Sequence, residues 1–83
     1  MKVCEEITAI DGTVYTVLGY EPPYALLSHD TPRGEQFLVV KHIATDKKGL
    51  YKWPIHYRYG PELLRAYEFF EKCAAEKEAE HSP

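Results

Sequence analysis

Ser28, His29 and Asp30 are the three residue types of a hydrolytic triad, and they follow one another in the stretch "YALLSHDTPRGE". Consecutive side chains of a strand point to opposite faces of the sheet, so these three cannot line up as nucleophile, base and orienting acid. Asp30 also precedes Thr31 and Pro32, a position where an aspartate is typical of a turn. The stretch therefore predicts a strand that runs into a turn, and no hydrolytic site.

The other residues that could do chemistry are not spaced to act together. Four histidines and two cysteines are present, and none shows the C-x-x-C or H-x-x-x-H spacing that places two donors on one metal. Neighbouring carboxylates such as Glu5 and Glu6 lack an apolar pocket to shift a pKa. The five glycines form no phosphate-binding loop. We therefore predict a protein without catalysis, metal or cofactor.

Positive charge is concentrated in one segment of a chain whose formal net charge is −3. Residues 41–60 hold five lysines and arginines against one aspartate. Residues 1–40 hold two such cations against six carboxylates, and residues 61–83 hold three against six. A basic segment in an otherwise acidic chain indicates a docking site for an acidic protein surface or a phosphate backbone.

Aromatic and basic residues alternate in the same segment, "LYKWPIHYRYG". In a strand this alternation places the aromatic and apolar residues on one face and the basic residues on the other. We predict that most of the aromatic face is core, with the terminal tyrosines left exposed, and that the opposite parity forms a basic row. The candidate partner-binding residues are Lys41, Lys52, His56, Arg58, Tyr51 and Tyr59.

The elements that must position these residues follow from the turn signals. Asp11-Gly12 predicts a two-residue hairpin turn, and the successive prolines at 22 and 23 predict a corner or an edge. Residues 31–34 and the stretch "TDKKG" predict two further turns. Residues 37–40 are apolar at every position, which indicates a central strand covered on both faces. The basic and aromatic segment is then the fifth strand.

A change of periodicity after Gly60-Pro61-Glu62 predicts a helix that runs to about Glu80. The apolar face of this helix is formed by Leu63, Tyr67, Phe70 and Ala74, with Leu64 and Cys73 at its margin. The sequence thus predicts one α+β domain over residues 1–80, with residues 81–83 as a frayed tail. The fold is a five-stranded antiparallel meander, flat or curled into a small open barrel, packed by one C-terminal amphipathic helix.

Symmetric turns would also set the register of the strands. Folding about "PR" pairs Leu27 with Leu38, and folding about the middle of "TDKKG" pairs Leu38 with Tyr57. In that register the apolar surface that receives the helix is formed by Ala25, Leu27, Leu38, Val40, Trp53, Ile55 and Tyr57. We accordingly expect Trp53 to be buried against the aromatic residues of the helix.

The sequence favours a small non-enzymatic protein-binding module of the accessory or inhibitor type, because it holds no catalytic constellation and its charge is strongly polarised. The alternative is a weak RNA- or DNA-binding module that uses the basic and aromatic segment 41–59. No signal peptide or membrane span is evident, so we expect a cytoplasmic protein with Cys4 and Cys73 reduced. The oligomeric state stays open, since a fifth strand with Pro54 is either a protected edge or the seam of a homodimer.

Overall fold

The computed structural model describes the backbone of residues 1–81 and the side chains of residues 1–76. The elements are β1 (Glu6–Thr8), β2 (Val14–Glu21), β3 (Tyr24–Thr31), β4 (Gly34–Lys41), β5 (Ala44–Thr45), β6 (Tyr51–Lys52), β7 (Ile55–Gly60) and α1 (Leu63–His81). Strands β1, β2, β3, β4 and β7 form an open antiparallel sheet in that order, and β5 pairs with β6 in a separate ribbon. The predicted meander with one C-terminal helix is confirmed. The helix reaches His81, and residues 82 and 83 of the predicted tail lie outside the described residues.

The turn between β1 and β2 has three loop residues, one more than predicted. The Ala9 N–H donates to the Thr13 carbonyl at 2.8 Å, and the Gly12 N–H donates to the Ala9 carbonyl at 2.9 Å. Gly12 has a φ of +88°, in the left-handed region that glycine adopts without a Cβ clash. The Asp11 carboxylate accepts the Thr13 N–H at 2.9 Å and so holds the loop closed.

The next two turns have two residues each. Pro22-Pro23, joined by a cis peptide bond, connects β2 to β3, as the predicted corner requires. Pro32-Arg33 connects β3 to β4. Leu27 pairs with Leu38 across these two strands, so the predicted register of this hairpin is confirmed.

The pairing of β4 with β7 differs from the predicted register by one residue. Val39 pairs with Tyr57 and Val40 with His56, whereas the prediction paired Leu38 with Tyr57. A shift of one residue reverses the face that each side chain of a strand occupies. Tyr57 therefore lies on the same face as Val39, opposite to the face predicted for it.

The turn of this long hairpin explains the shift. The Asp46 N–H donates to the Leu50 carbonyl at 2.8 Å, so the loop contains the three residues 47–49. Gly49 has a φ of +82° and completes this loop. The prediction assumed an even number of loop residues, and an odd number moves every pair of the hairpin by one position.

The hairpin bends between its two paired parts, and its tip folds back over the sheet. His42 has a φ of +62° on one side of the bend, and Pro54, which lacks an N–H, interrupts the ladder on the other. We call residues 42–54 the arm. The Ile10 N–H donates to the Tyr51 carbonyl at 3.0 Å, which ties the arm to the first turn. The predicted fifth strand is thus divided into β6, in the arm, and β7, at the edge of the sheet.

The two faces of the sheet bury separate apolar clusters. On the side that the arm crosses, here the arm face, the buried members are Ile7, Ala9, Tyr15, Val17, Ala25, Leu27, Leu38 and Val40. On the side of α1, here the helix face, they are Leu26, Phe37, Val39 and Ala66. Residues 37–40 are all buried, which confirms the prediction of a central strand covered on both faces.

The helix packs on the face opposite to the predicted one, and its packed side overlaps only part of the predicted side. Ala66 and Cys73 are buried and Phe69, Phe70 and Ala74 are half-buried, so Phe70, Ala74 and Cys73 of the predicted side are covered. Leu63 and Tyr67, predicted to be core, are 41% and 49% exposed. Gly19 accounts for this orientation, because a Cβ at Gly19 would lie 2.8 Å from Cε2 of Phe70, and its absence admits the ring. Within the described part of the chain, no helix has the length and apolar character needed to span a membrane.

Candidate binding groove

Two cavities adjoin each other on the arm face. One has a volume of about 380 Å³ and lies beside the β3–β4 turn. The other has a volume of about 310 Å³ and lies beside the arm. Tyr15, Leu38 and Arg58 line both cavities, so the two share a wall. We call them together the basic groove, with a turn end and an arm end.

Three strands and one turn supply the polar side chains of the turn end. Arg33 lies in the β3–β4 turn, Arg58 on β7, and His29 on β3 opposite Gln36 of β4. The Arg33 N–H donates to the Thr31 hydroxyl at 3.1 Å, which fixes the backbone of the turn. Among the described residues that line this end, none carries a carboxylate.

Neither arginine of the turn end has an ionic partner among the side chains that the structure describes. Arg33 and Arg58 are exposed, and the one ion pair among the described side chains joins Arg65 to Glu62 on the helix, at 3.2 Å. A guanidinium group carries five N–H donors in a planar fork that matches carboxylate and phosphate oxygens. The turn end therefore presents two such forks to whatever enters it.

The arm end has a mixed charge. Lys52, His56 and Arg58 line it together with Asp11. The hydrogen bond from the backbone N–H of Thr13 lowers the pKa of the Asp11 carboxyl below its ordinary value, so this group is ionised at neutral pH. Its negative charge offsets part of the positive charge of the arm end.

Tyr15 forms the floor that joins the two ends. Its side chain is 8% exposed, and the centroid of its ring lies 4.9 Å from that of His29 and 5.3 Å from that of Trp53. Burial raises the pKa of Tyr15, the charge of Asp11 raises it further, and the charge of Arg58 lowers it. The phenol is therefore protonated at neutral pH and has a proton to donate to an anion.

The predicted partner-binding residues divide between the two faces. Four of them line the arm end: Tyr51, Lys52, His56 and Arg58. Lys41 lies on the helix face with its Nζ 5.4 Å from the ring centroid of Tyr24, and Tyr59 packs against Phe69 at 5.9 Å between centroids. The one-residue shift between β4 and β7 is the cause, because it separates Lys41 from the face of the basic row. Lys41 and Tyr59 do not line the groove, and their part in partner binding stays a prediction.

The groove also contains residues that the prediction did not select: Tyr15, His29, Arg33 and Gln36. The alternation of side chains along β3 and β4 is a signal for two of them, since His29 and Gln36 share the face of Leu27 and Leu38. Arg58 joins that face only in the observed register, in which it pairs with Leu38. The predicted register could therefore not bring Arg58 to Arg33.

Trp53 is a wall of the groove and not part of the helix interface. Its predicted burial against the aromatic residues of α1 is wrong, because its ring meets Tyr15 edge-on, with an angle of 81° between the ring planes. It is half-buried, and it packs on the arm-face cluster together with Tyr51 and Ile43. The arm thus places aromatic surface directly beside the cations of the groove.

The residues that resemble a triad are separated by the sheet. Ser28 pairs with Phe37 and is 2% exposed on the helix face. His29 packs on Tyr15 on the arm face. Among the described residues, no group of three histidine, cysteine, aspartate or glutamate side chains is placed to hold a metal ion.

Comparison of the chain with protein-family models, curated proteins and solved structures found no match. Small antiparallel sheets with one helix serve many unrelated functions, so the fold by itself assigns none. The basic groove is the feature of the molecule from which a function follows.

Proposed function

We propose that the protein is a small non-enzymatic protein-binding module, of the accessory or inhibitor type, that docks its basic groove onto an acidic surface of another protein. The observation that carries the proposal is the pair of exposed arginines, Arg33 and Arg58. They line a cavity without carboxylates and have no ionic partner among the described residues. Carboxylates of a partner would complete these two sites, and such charge complementarity both accelerates encounter and selects the partner.

The aromatic side chains of the groove support the docking of a protein surface. Tyr15, Tyr51 and Trp53 line the arm end next to Arg58. Tryptophan, tyrosine and arginine are enriched at the centres of protein interfaces, where they contribute most of the binding energy. Because the ring of Trp53 already packs on Tyr15, little side-chain freedom would be lost when a partner covers it.

The charge of the rest of the chain favours a protein over a nucleic acid as the partner. The segments on either side of the basic one are acidic: residues 1–40 hold two cations against six carboxylates, and residues 61–83 hold three against six. A nucleic acid carries closely spaced charges along its length and would be repelled by these segments beyond the groove. A compact group of acids on a folded partner would contact the groove alone, and RNA or DNA binding is therefore the alternative.

We place this module in the cytoplasm. Cys4 is exposed, Cys73 is buried, and both are free thiols. Exposed free thiols persist in reducing compartments and tend to be oxidised outside them. The state of the two cysteines thus supports this location.

A capture experiment with matched variants tests the proposed function. The tagged chain and its Arg58→Glu and Lys72→Glu variants are each incubated with a native lysate, with and without nuclease. Both residues are exposed, and Lys72 lies on the helix, so the two variants change the net charge equally but only one alters the groove. We expect a protein that the parent and Lys72→Glu retain after nuclease treatment and that Arg58→Glu loses.

Two other results would argue against this function. A captured species that disappears with nuclease, and whose binding falls with salt at a log-log slope of about −0.7 per neutralised phosphate, would establish the nucleic-acid alternative. A protein that Arg58→Glu captures as well as the parent does would show that the groove is not the docking surface.

A further inference from the structure

The residues of the turn end indicate a more specific ligand than an acidic protein surface in general. We propose that the turn end binds a phosphate monoester on an aromatic carrier, as in a phosphorylated tyrosine side chain. The inference rests on the proposed function for the source of this ligand, which is the protein partner. The chemistry of the site can be tested without that partner.

The first argument is the match between charges and donors. A carboxylate has one negative charge and two oxygens, and a single guanidinium fork satisfies it. A phosphate monoester carries a charge of about −1.5 to −2 at pH 7 and has three terminal oxygens. Arg33 and Arg58 together balance that charge, and His29 or Gln36 provides a donor for the remaining oxygen. A single carboxylate in this cavity would leave one guanidinium unpaired.

The second argument is that ordered backbone positions both arginines. Around Arg33, the Thr31 hydroxyl accepts the Arg33 N–H at 3.1 Å and donates to the Gly34 carbonyl at 2.8 Å. Arg58 pairs with Leu38 next to a β-bulge in which Tyr59 of β7 is the extra residue, and bulges of this kind redirect side chains at binding sites. An ordered backbone fixes where each side chain begins, so an anion does not have to order the chain when it binds.

The third argument concerns the carrier of the phosphate. Apolar and aromatic residues of the arm face and of the turn line the same cavity as the two arginines: Tyr15, Pro32 and Leu38. The cavity, at about 380 Å³, lies within the usual range of small-molecule sites, which is about 300–1,000 Å³. An aromatic ring next to the phosphate would cover this apolar surface, whereas inorganic phosphate would leave it in contact with water.

Three small probes test the site on the full chain: phenyl phosphate, benzoate and inorganic phosphate, each titrated at low salt and followed by amide and side-chain NMR shifts. We expect phenyl phosphate to bind about tenfold more tightly than benzoate, because one additional charge-assisted contact is made. Inorganic phosphate should also bind more weakly than phenyl phosphate. The largest shifts should map to the β3–β4 turn and to the side-chain N–H groups of Arg33 and Arg58.

Matched variants then identify the donors. Arg33→Gln and Arg58→Gln should each weaken phenyl phosphate about tenfold, and Lys72→Gln should leave it unchanged. Both arginines are exposed, so neither variant is expected to lower the melting temperature by more than a few degrees, which thermal unfolding checks. Equal affinity for benzoate and phenyl phosphate, an Arg33→Gln variant that binds like the parent, or no saturable binding up to about 20 mM would each overturn the phosphate site.

The two proposals fail in distinguishable ways. If phenyl phosphate binds as expected but no protein is captured through Arg58, the phosphate site stands and the protein-binding function fails. If a protein is captured through Arg58 but phenyl phosphate does not bind, the function stands and the phosphate site is overturned. Phosphatase treatment of the lysate adds a direct test, since the phosphate site requires that it abolish the capture.

Discussion

The helix face and the arm face of one sheet are closed in different ways. On the helix face, a long helix lays Phe69 and Phe70 over the apolar cluster and reaches across β3, β4 and β7 as far as Gly19 of β2. On the arm face, a narrow ribbon covers the cluster with Trp53, Tyr51 and Ile43 and leaves the basic groove beside it. Both faces bury side chains of the same strands, but only the narrower cover of the arm face leaves room for the proposed binding groove.

The largest expected change in the free energy of unfolding tests whether the apolar clusters on both faces stabilise the fold. Leu26 and Leu27 are neighbours on β3, point to opposite faces and are 1% and 0% exposed. We expect Leu26→Ala and Leu27→Ala each to lower the free energy of unfolding by about 3 kcal/mol, measured by urea denaturation. A Leu27→Ala variant that loses less than about 1 kcal/mol would mean that the arm face contributes little to stability.

The next prediction compares the two covering elements. Phe70→Ala should lower the global free energy of unfolding by about 2 kcal/mol, because the helix loses its contact over Gly19. Trp53→Ala should act more locally, by loosening the arm. Hydrogen exchange is the measurement: the Ile10 amide, which donates to the Tyr51 carbonyl, should exchange faster while the amides of β4 keep their protection. Equal acceleration at both places would show that the arm does not open on its own.

A smaller effect is expected where the helix approaches β2 most closely. Gly19→Ala places a Cβ within 2.8 Å of the Phe70 ring, so the ring must move, at a cost of about 1 kcal/mol. Combining Gly19→Ala with Phe70→Leu should cost less than the sum of the two single changes, because the smaller side chain leaves room. Additive changes in the free energy of unfolding would contradict the close contact.

The smallest effect concerns acid stability at the first turn. The pKa of Asp11 is lower in the folded chain than in the unfolded one, so its ionised form stabilises the fold above about pH 4. That contribution is lost as the pH falls through the folded pKa. The melting temperature of the Asp11→Asn variant should therefore fall less steeply than that of the parent below about pH 4. At higher pH the two proteins should depend on pH in the same way. An identical acid profile for both proteins would mean that the bond to Thr13 does not matter for stability.

The pattern of strands and turns was predictable because local chemistry determines it. The prolines at 22–23 and at 32 identify two turns, and apolar residues at every position of 37–40 identify the central strand. The helix after Pro61 follows from the change of period alone. These signals act within a few residues, so no knowledge of the rest of the fold is needed to interpret them.

The faces were harder to predict, because they depend on whether a loop has an even or an odd number of residues. Gly12 and Gly49 each complete a three-residue loop where an even-numbered turn was expected. The second of these loops decides which face Arg58 and Tyr57 occupy, and with it the composition of the groove. Whether the helix packs through Leu63 or through Ala66 depended on the contact between Gly19 and Phe70, which lie in distant parts of the chain.

The bond between Ile10 and Tyr51 has a consequence for the order in which the molecule folds. It joins residues about 40 positions apart in the sequence, whereas the hairpins of β1 to β4 close loops of two or three residues and β4 pairs with β7 across the 13 residues of the arm. The entropy lost in closing a loop grows with its length, so contacts between near neighbours form first and the sheet can assemble before the arm is in place. The arm then folds onto a surface that already exists. The basic groove, which lies between the arm and the sheet, is therefore expected to be among the last features of the molecule to form.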